Sequence, residues 1–379
     1  MTKSLTEKFE LITRNTEEIL LEEEVIPLIQ NTDKVKHYIG FEISGKIHLG
    51  TGIMCMSKVK DFIEAGVDCS IFLADWHSWI NDKLGGDREL IKKVAVEYFK
   101  EGLKASLKAV GGDPEKVKFV LGSELYHNAD EYWATVIEIS KNLSLKRVMR
   151  AITIMGRKEG ESVDFAKLIY PPMQVADIFY QGINLAHAGL DQRKAHVIAR
   201  EIGDKLKIKP LLDKNGNPIK PVVIHHHLLL GLQKPPIWPI PDEDLQSLWA
   251  SMKMSKSIPN SAIFITDEPE LIKEKLNKAF CPEREIYYNP ILDWTKNIIF
   301  REKNSILEIK RPQKYGGDKI YENYLDLAND FEQGKLHPLD LKKAVAEKII
   351  EILKPVREHF QNSKLREMQE KMEELIITR

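Results

Sequence analysis

HYIGFEISGKIHLGTGIMCMSKVKDFIEAGVDCSIFLADW, residues 37–76, decides the fold. Its first run, HYIGFEI (37–43), reads as a strand. LGTGIMCMSKVKDFIEAG (49–66) reads as a helix that ends at Gly66, and CSIFLADW (69–76) as a second strand. That second strand is short and almost continuously apolar, as a parallel strand buried on both faces must be. Downstream the same alternation continues. A helix is expected from about Arg88 to Val110, a strand at VKFVLG (117–122) and a helix from Asp130 to Leu143. NLAHAG (184–189) and PVVIHH (221–226) read as later strands, with a helix from Gln192 to about Leu206 between them. Strand, helix, strand in repetition predicts an α/β doubly wound parallel sheet. After about residue 260 helical segments dominate (269–280, 321–333, 338–354, 363–375), and RPQKYGGD (311–318) is loop-like. The expected division is therefore 1–260, the sheet domain, and 261–379, a mostly helical C-terminal domain.

The 379 residues suit about two domains. Lys plus Arg number 56 and Asp plus Glu 57, a formal net charge of -1, so any phosphate-binding surface is a local basic patch. Charged residues make up 30% of the chain, with Lys- and Glu-rich runs of the kind found in heat-adapted proteins. The three cysteines, Cys55, Cys69 and Cys281, form no close CxxC pair, so neither a zinc site nor a disulfide framework is expected, and a reducing cytosol is the simplest setting. The charged, amphipathic N-terminus lacks the apolar core of a signal peptide, and no run approaches the roughly 18–20 apolar residues that span a bilayer. A soluble, cytoplasmic protein without a metal site is the expectation.

Three segments carry chemistry. SGKIHLG (Ser44–Gly50) sits between the first strand and its helix, at the carboxyl end of a strand, where the next helix offers free N–H groups and a positive dipole to phosphate. Gly45 and Gly50 permit close approach of a nucleotide and His48 adds a donor, although alone the segment is equally an ordinary strand-to-helix turn. KMSKS (Lys253–Ser257) places two lysines in a short loop, a flexible cationic clamp for phosphate or, taken alone, a solvated loop. YPPMQVADIFYQG (170–182) spaces Tyr170, Gln174 and Asp177 by four and three, onto one helix face, with Met173, Val175, Ile178 and Phe179 left to bury the other sides. That face makes an amino-acid-sized polar pocket.

In this order and spacing, the first two segments resemble the paired signatures of class I aminoacyl-tRNA synthetases, which hold ATP. The usual first signature is HxGH; here Thr51 stands in the last place and offers a hydroxyl instead. The third segment resembles the tyrosine-binding helix of tyrosyl-tRNA synthetases. HYIGFEISGKIHLG, LADWHSWIND, LIYPPMQVADIFYQG, AGLDQRKAHVIARE, KMSKS, KAFCP, KRPQKYGGD and KLHPLDLKKAVAE all resemble the archaeal/eukaryotic type of that family, over nearly the whole chain. The resemblance implies a Rossmann-type catalytic domain with an inserted segment at about 120–165 and an anticodon-binding C-terminal domain. It implies a tyrosine–tRNA ligase that uses ATP with Mg2+ and no tightly bound cofactor.

Residue by residue, the resemblance assigns the substrate phenol to Tyr38 and Asp177, and the ammonium group and its neighbours to Tyr170, Gln174 and Gln192. Gly40, Glu42, Phe72, Ala74 and His77 would line the pocket. The buried carboxylate of Asp177 needs a donor; tyrosine brings one, and phenylalanine would leave Asp177 and Tyr38 unpaired. His48, Lys253 and Lys256 would act on the phosphates, with Gly45, Gly50 and Ser255 beside them. Arg147, Arg150, Arg193 and Lys194 are candidates for the tRNA acceptor stem. Tyr315, in a Gly-flanked loop, and Asp340, near a helix start, would grip the first anticodon base, a guanine. The resemblance also implies a homodimer joined through the inserted segment, with Tyr132, Trp133, Val136, Ile137, Ile152, Ile154 and Met155 as its apolar groups.

A tryptophanyl-tRNA synthetase is the nearest alternative, since an indole N–H can also meet a carboxylate. A non-catalytic RNA-binding relative would be expected to have lost His48, Gly50 or KMSKS, and a nucleotidyl transferase without RNA would have no use for the C-terminal domain. His225, His226 and His227 point to alternate faces of a strand and make a poor single-metal site; a structural or strand-end role is expected. LQKPPIWPIPDED (232–244) reads as a loop on the nucleotide side.

Overall fold

In the structure, a computed structural model, residues 3–240, 252–256 and 258–377 are described, with side chains through residue 372. Ser257 of KMSKS and residues 241–244 of the Pro-rich loop lie outside the described residues.

Five parallel strands, β2 (Lys36–Phe41), β3 (Asp68–Leu73), β4 (Val117–Leu121), β5 (Leu185–Gly189) and β8 (Val222–His226), form the body of a six-stranded sheet, and β1 (Glu18–Leu20) is its antiparallel edge. A small hairpin, β6 (Leu211–Leu212) and β7 (Pro218–Ile219), precedes β8. The sheet order is β1-β8-β5-β2-β3-β4, with β1 antiparallel to β8 and every other pair parallel. The chain winds outward from β2 through β3 to β4, then returns to lay β5 and β8 on the other side of β2. This reversal is the doubly wound topology expected from the alternating pattern, and it opens a crevice between β2 and β5.

Strand alternation assigns the two faces. Ile39, Ile71, Leu185 and Ile224 enter one apolar cluster, which includes Val59 and Phe62 of the helix Cys55–Glu64. Their neighbours Tyr38, Phe72, Ala186 and Val223 enter the other, with Val175, Ile178 and Phe179 of the helix Phe165–Tyr180. Tyr38 thus faces the helix that carries Asp177. Three helices, Gly122–Leu125, Asp130–Lys141 and Leu145–Ala151, are inserted between β4 and Phe165–Tyr180.

The first cluster continues past residue 260. Ile263, Ile265, Val356 and Phe360 share it with Tyr98 and Leu103, and the helix Pro338–His359 packs against Lys100–Ala109. Beyond residue 260 the described residues are mostly helical, with one hairpin of β9 (Leu307–Ile309) and β10 (Lys319–Tyr321).

Several boundaries differ from the sequence expectation for local reasons. The strand expected over 69–76 stops at Leu73, because Asp75 begins a helix, Asp75–Ile80. The helix expected from 49 opens as a π-turn, Gly50–Met54, before Cys55–Glu64. The helix bearing Tyr170 starts earlier, at Phe165, where the Asp164 side chain accepts from the Lys167 N–H and caps the first turn. The antiparallel edge β1 was not anticipated.

Candidate active site

A cavity of about 310 Å³ opens at the carboxyl ends of β2, β5 and β8, at the reversal of the strand order. β2 supplies Tyr38 and Gly40 and, just beyond its end, Glu42; the helix Phe165–Tyr180 supplies Tyr170, Gln174 and Asp177; the turn after β5 supplies Asp191 and Gln192. Phe72, Ala74 and His77 complete the inner wall, and His48, Gly50, Thr51, Lys253 and Lys256 the outer one. Residues from positions 38 to 256 are thereby brought to one volume. Gly45 and Ser255 are not among its lining residues; Ser44 lines it instead.

The inner end is built around Asp177, which is 1% exposed. Its Oδ1 accepts from the phenol hydroxyls of Tyr126 at 2.8 Å and Tyr132 at 3.1 Å, while its Oδ2 lies 3.5 Å from His77 Nε2. Burial pushes the Asp177 carboxyl up to about 8, the two phenols pull it back down, and burial pushes His77 down to about 3. The His77–Asp177 approach is therefore a contact with a neutral imidazole, not an ion pair. This corrects the expectation that phenylalanine would leave Asp177 unpaired: one of its oxygens is already satisfied inside the protein. Tyr126 and Tyr132 were missed by sequence reasoning. No spacing rule links them to a carboxylate 51 and 45 positions away.

Tyr170 donates its hydroxyl to Glu42 Oε1 at 2.9 Å, and Asn81 Nδ2 donates to the same oxygen. The Tyr170 oxygen thus remains an acceptor facing the cavity. Gln174 Nε2 donates to Gln192 Oε1 at 3.1 Å, and Gln192 Nε2 donates to the Ile154 carbonyl at 3.0 Å. Among the described residues Gln174 Oε1 is buried without a partner. A buried orphan acceptor is costly, and a cationic donor in the cavity would satisfy it.

The outer end is cationic. His48 is held by its turn: its Nδ1 accepts the Thr51 backbone N–H at 3.2 Å, which leaves Nε2 as the protonated nitrogen of the neutral ring. Burial first, then Lys256 and Lys253, push His48 down to about 3, so it is a neutral donor. The Thr51 hydroxyl lies 3.5 Å from His48 Nε2. Gly50 suits this arrangement, because a Cβ there would stand 3.0 Å from His48 Cε1 and 3.1 Å from Nδ1 and would press on the ring. Lys256 Nζ donates to Ser44 Oγ at 3.0 Å and lies 5.2 Å from the Phe99 ring centre. Lys253 Nζ pairs with Asp191 at 2.6 Å. Asp191 is a partner of this lysine that sequence reading did not foresee.

The remaining expected residues lie elsewhere. Arg150, Arg193 and Lys194 form a surface group: Lys194 Nζ donates to the Arg150 carbonyl, and Arg193 Nε is held by Glu18 at 2.8 Å. Arg147 binds Glu201 at 2.8 Å through both carboxylate oxygens. Tyr315 stands 62% exposed at the end of a tight turn closed by Gly316 (φ 100°), and Asp340 is in the first turn of Pro338–His359. The three consecutive histidines take separate partners. His225 meets His196 and Glu18, His226 meets His187, and His227 meets Glu17 and Asp293. No cluster able to hold a metal ion occurs among the described residues.

The fold and the cavity define a class I tRNA synthetase: residues 30–354 match the family of tRNA synthetases class I (W and Y). Curated tyrosine–tRNA ligases of Thermococcus sibiricus and Thermococcus kodakarensis are 59% and 61% identical over 377 and 374 residues. The alignments cover 99% and 98% of this chain, and 100% and 99% of theirs. The crystal structure of the Pyrococcus horikoshii tyrosyl-tRNA synthetase complexed with L-tyrosine superposes with a TM-score of 0.93 at 55% identity, covering 100% of both chains. A tryptophanyl-tRNA synthetase of Aeropyrum pernix shares the fold at a TM-score of 0.62 and only 19% identity. The chain belongs to the tyrosyl-tRNA synthetases.

Proposed function

We propose that this tyrosine–tRNA ligase activates tyrosine and transfers it within the one cavity, in two steps. The tyrosine carboxylate attacks the α-phosphorus of Mg·ATP, the bond to the β-phosphate oxygen breaks, and pyrophosphate leaves. A ribose hydroxyl of the terminal adenosine of tRNA(Tyr) then attacks the acyl carbon of tyrosyl-adenylate, and AMP leaves. The observation that carries the reading is the polarity of the cavity: a deep phenol-sized end at Tyr38 and Asp177, an acceptor-lined middle at Tyr170, Gln174 and Gln192, and a cationic mouth at His48, Lys253 and Lys256. Tyrosine laid along this axis puts its ring deepest, its ammonium group among the acceptors and its carboxylate toward the phosphates. Catalysis is by positioning and by charge stabilisation of the phosphoryl oxygens, without a covalent enzyme intermediate.

In this reading residues 1–260 hold the chemistry and 261–379 read the anticodon through Tyr315 and Asp340, while Arg150, Arg193 and Lys194 meet the acceptor stem. The protein would work in the cytoplasm as a homodimer. Of the apolar groups expected at the dimer contact, Tyr132, Val136, Ile152, Ile154 and Met155 are buried within the subunit. The support comes from Ile137, the exposed member of that set, and from Leu145 and Phe165, exposed by 61%, 66% and 77% on or beside the inserted segment. Amino-acid-dependent pyrophosphate exchange across all twenty amino acids tests the activity. Exchange with tyrosine alone is expected, and exchange with tryptophan in its place would refute it. Asp177→Ala should raise the tyrosine KM and collapse the tyrosine/phenylalanine ratio with little effect on ATP. An unchanged ratio overturns the pocket assignment.

A further inference from the structure

We propose that Tyr126 and Tyr132, two phenols of the inserted helical segment, are specificity-determining positioning residues. They saturate Asp177 Oδ1 and thereby reserve Oδ2 for the substrate hydroxyl. The inference rests on the assignment of Asp177 to the substrate phenol.

The geometry is specific. Both hydroxyls converge on one oxygen, at 2.8 and 3.1 Å. Neither residue lines the cavity, whereas Asp177 does, so the pair approaches from behind. Their rings stack on each other, with centres 4.3 Å apart and planes 28° apart, and both are buried. Tyr126 follows the short helix Gly122–Leu125, and Tyr132 lies in the first turns of Asp130–Lys141. The insert thus delivers two donors to a single acceptor atom. A carboxylate free to rotate would present either oxygen to the cavity; with Oδ1 bound twice, the plane of the carboxylate is fixed and Oδ2 faces His77 and the cavity.

Charge follows geometry. Burial disfavours the ionised carboxyl, and the two phenols are the groups that oppose it. The other titratable groups facing Asp177 are His77, neutral at its buried position, and the phenols of Tyr38 and Tyr170, both held well above the ordinary tyrosine range. Removing the two donors therefore raises the Asp177 pKa further. At neutral pH the acceptor for the substrate hydroxyl is then more often protonated. Phenylalanine, which offers no hydroxyl, is indifferent to that change.

The test uses the full chain carrying Tyr126→Phe, Tyr132→Phe and both together. The rings and their stacking are kept, and thermal melting checks the fold. Pyrophosphate exchange is measured with tyrosine and with phenylalanine at saturating ATP from pH 6 to 9. At pH 9, where the Asp177 carboxyl is ionised, each substitution is expected to raise the tyrosine KM about tenfold, as loss of a hydrogen bond to a charged group does, with kcat and the phenylalanine parameters little changed. In the double variant the acid limb of kcat/KM for tyrosine should move to higher pH. A general packing defect would lower kcat for both amino acids and would not move that limb. Asp177→Ala, run in parallel, separates the two readings. If it abolishes selectivity while the double Phe variant keeps the parent KM and pH limb, the positioning role is refuted and the pocket assignment stands. If Asp177→Ala itself leaves selectivity intact, both are refuted.

Discussion

Replacing Lys256 with alanine removes one ammonium group from the mouth of the cavity. Its place is well defined: Nζ is 3.0 Å from Ser44 Oγ and over the Phe99 ring, on the same wall as His48. On the proposed reading, a lysine already held there would cost no reorganisation when charge gathers on the phosphoryl oxygens. Removing one such preorganised donor costs about 10²–10³ in rate, or about 2.7–4 kcal/mol. Lys256→Ala should therefore slow adenylate formation by that factor in a single-turnover, rapid-quench assay. The tyrosine dissociation constant should hold, because Lys256 touches neither Tyr38 nor Asp177. The pH profile adds an independent sign. Burial first, with Lys83 adding and Glu42 opposing, pushes Lys256 down to about 8. The charged clamp is thus present below pH 8 and lost as pH rises through it, so kcat/KM for ATP should fall on the alkaline side in the parent enzyme. In the alanine variant that limb should be absent. An unaltered single-turnover rate, or an alkaline limb that survives the substitution, would refute the clamp.

Three further outcomes are expected. Tyr315→Ala should weaken charging of every tRNA variant about equally, since stacking is worth about 1–3 kcal/mol on any base, whereas Asp340→Ala should narrow the preference for guanine at the first anticodon position; neither should alter pyrophosphate exchange, and undiminished guanine preference would remove Asp340 from the reading. Asp61, fully buried, holds Arg14 at 2.5 Å, together with Arg301 and, at 3.9 Å, Lys58; Asp61→Ala removes the carboxylate on which buried Arg301 rests, while Arg14 keeps Glu302, and should lower unfolding stability by about 3–5 kcal/mol, so an unchanged denaturation midpoint would show that water or rearrangement replaces the carboxylate. Light scattering at micromolar concentration should give twice the chain mass, and Phe165→Asp should shift it toward the monomer; a parent that is already monomeric rejects the dimer.

The central sheet was legible because its strands are near-continuous apolar runs bounded by helical periods. CSIFL needs burial on both faces, and only a parallel central position provides that. β1 was not legible: Glu-Ile-Leu is too short to show a period, and its pairing with Val223–His225 is a tertiary event some two hundred residues away. The end of β3 was misjudged at Asp75 and Trp76, where apolar character continues but the helix Asp75–Ile80 takes over. Within the site, the face carrying Tyr170, Gln174 and Asp177 followed from helical spacing, and the structure gathers these residues with His48, Lys253 and Lys256 around one cavity. The partners of those residues did not follow. Asp191 on Lys253, Ser44 on Lys256, and Tyr126 and Tyr132 on Asp177 depend on how separate elements meet, and no local period encodes that meeting.

The separate partners of the three consecutive histidines have one more consequence. His226 belongs to a buried row that runs across β2, β5 and β8: His37 Nε2 meets His187 Nδ1 at 3.2 Å, His187 Nε2 meets His226 Nδ1 at 2.9 Å, and His226 Nε2 meets Cys55 Sγ at 3.5 Å. Burial keeps all three rings neutral at ordinary pH, so each carries one hydrogen and offers one lone pair. Such a row has only two self-consistent proton orders, and choosing the tautomer of one ring dictates all the others. In one order every ring donates through Nε2 and the sulfur accepts. In the other the thiol donates, every ring donates through Nδ1, and His37 Nδ1, buried without a partner, is left with a stranded N–H. A bare lone pair is the smaller loss, which selects the first order. The row is then polarised from the sheet interior toward Cys55 at the cavity wall, and the thiol hydrogen is turned away from the row, free to point into the cavity.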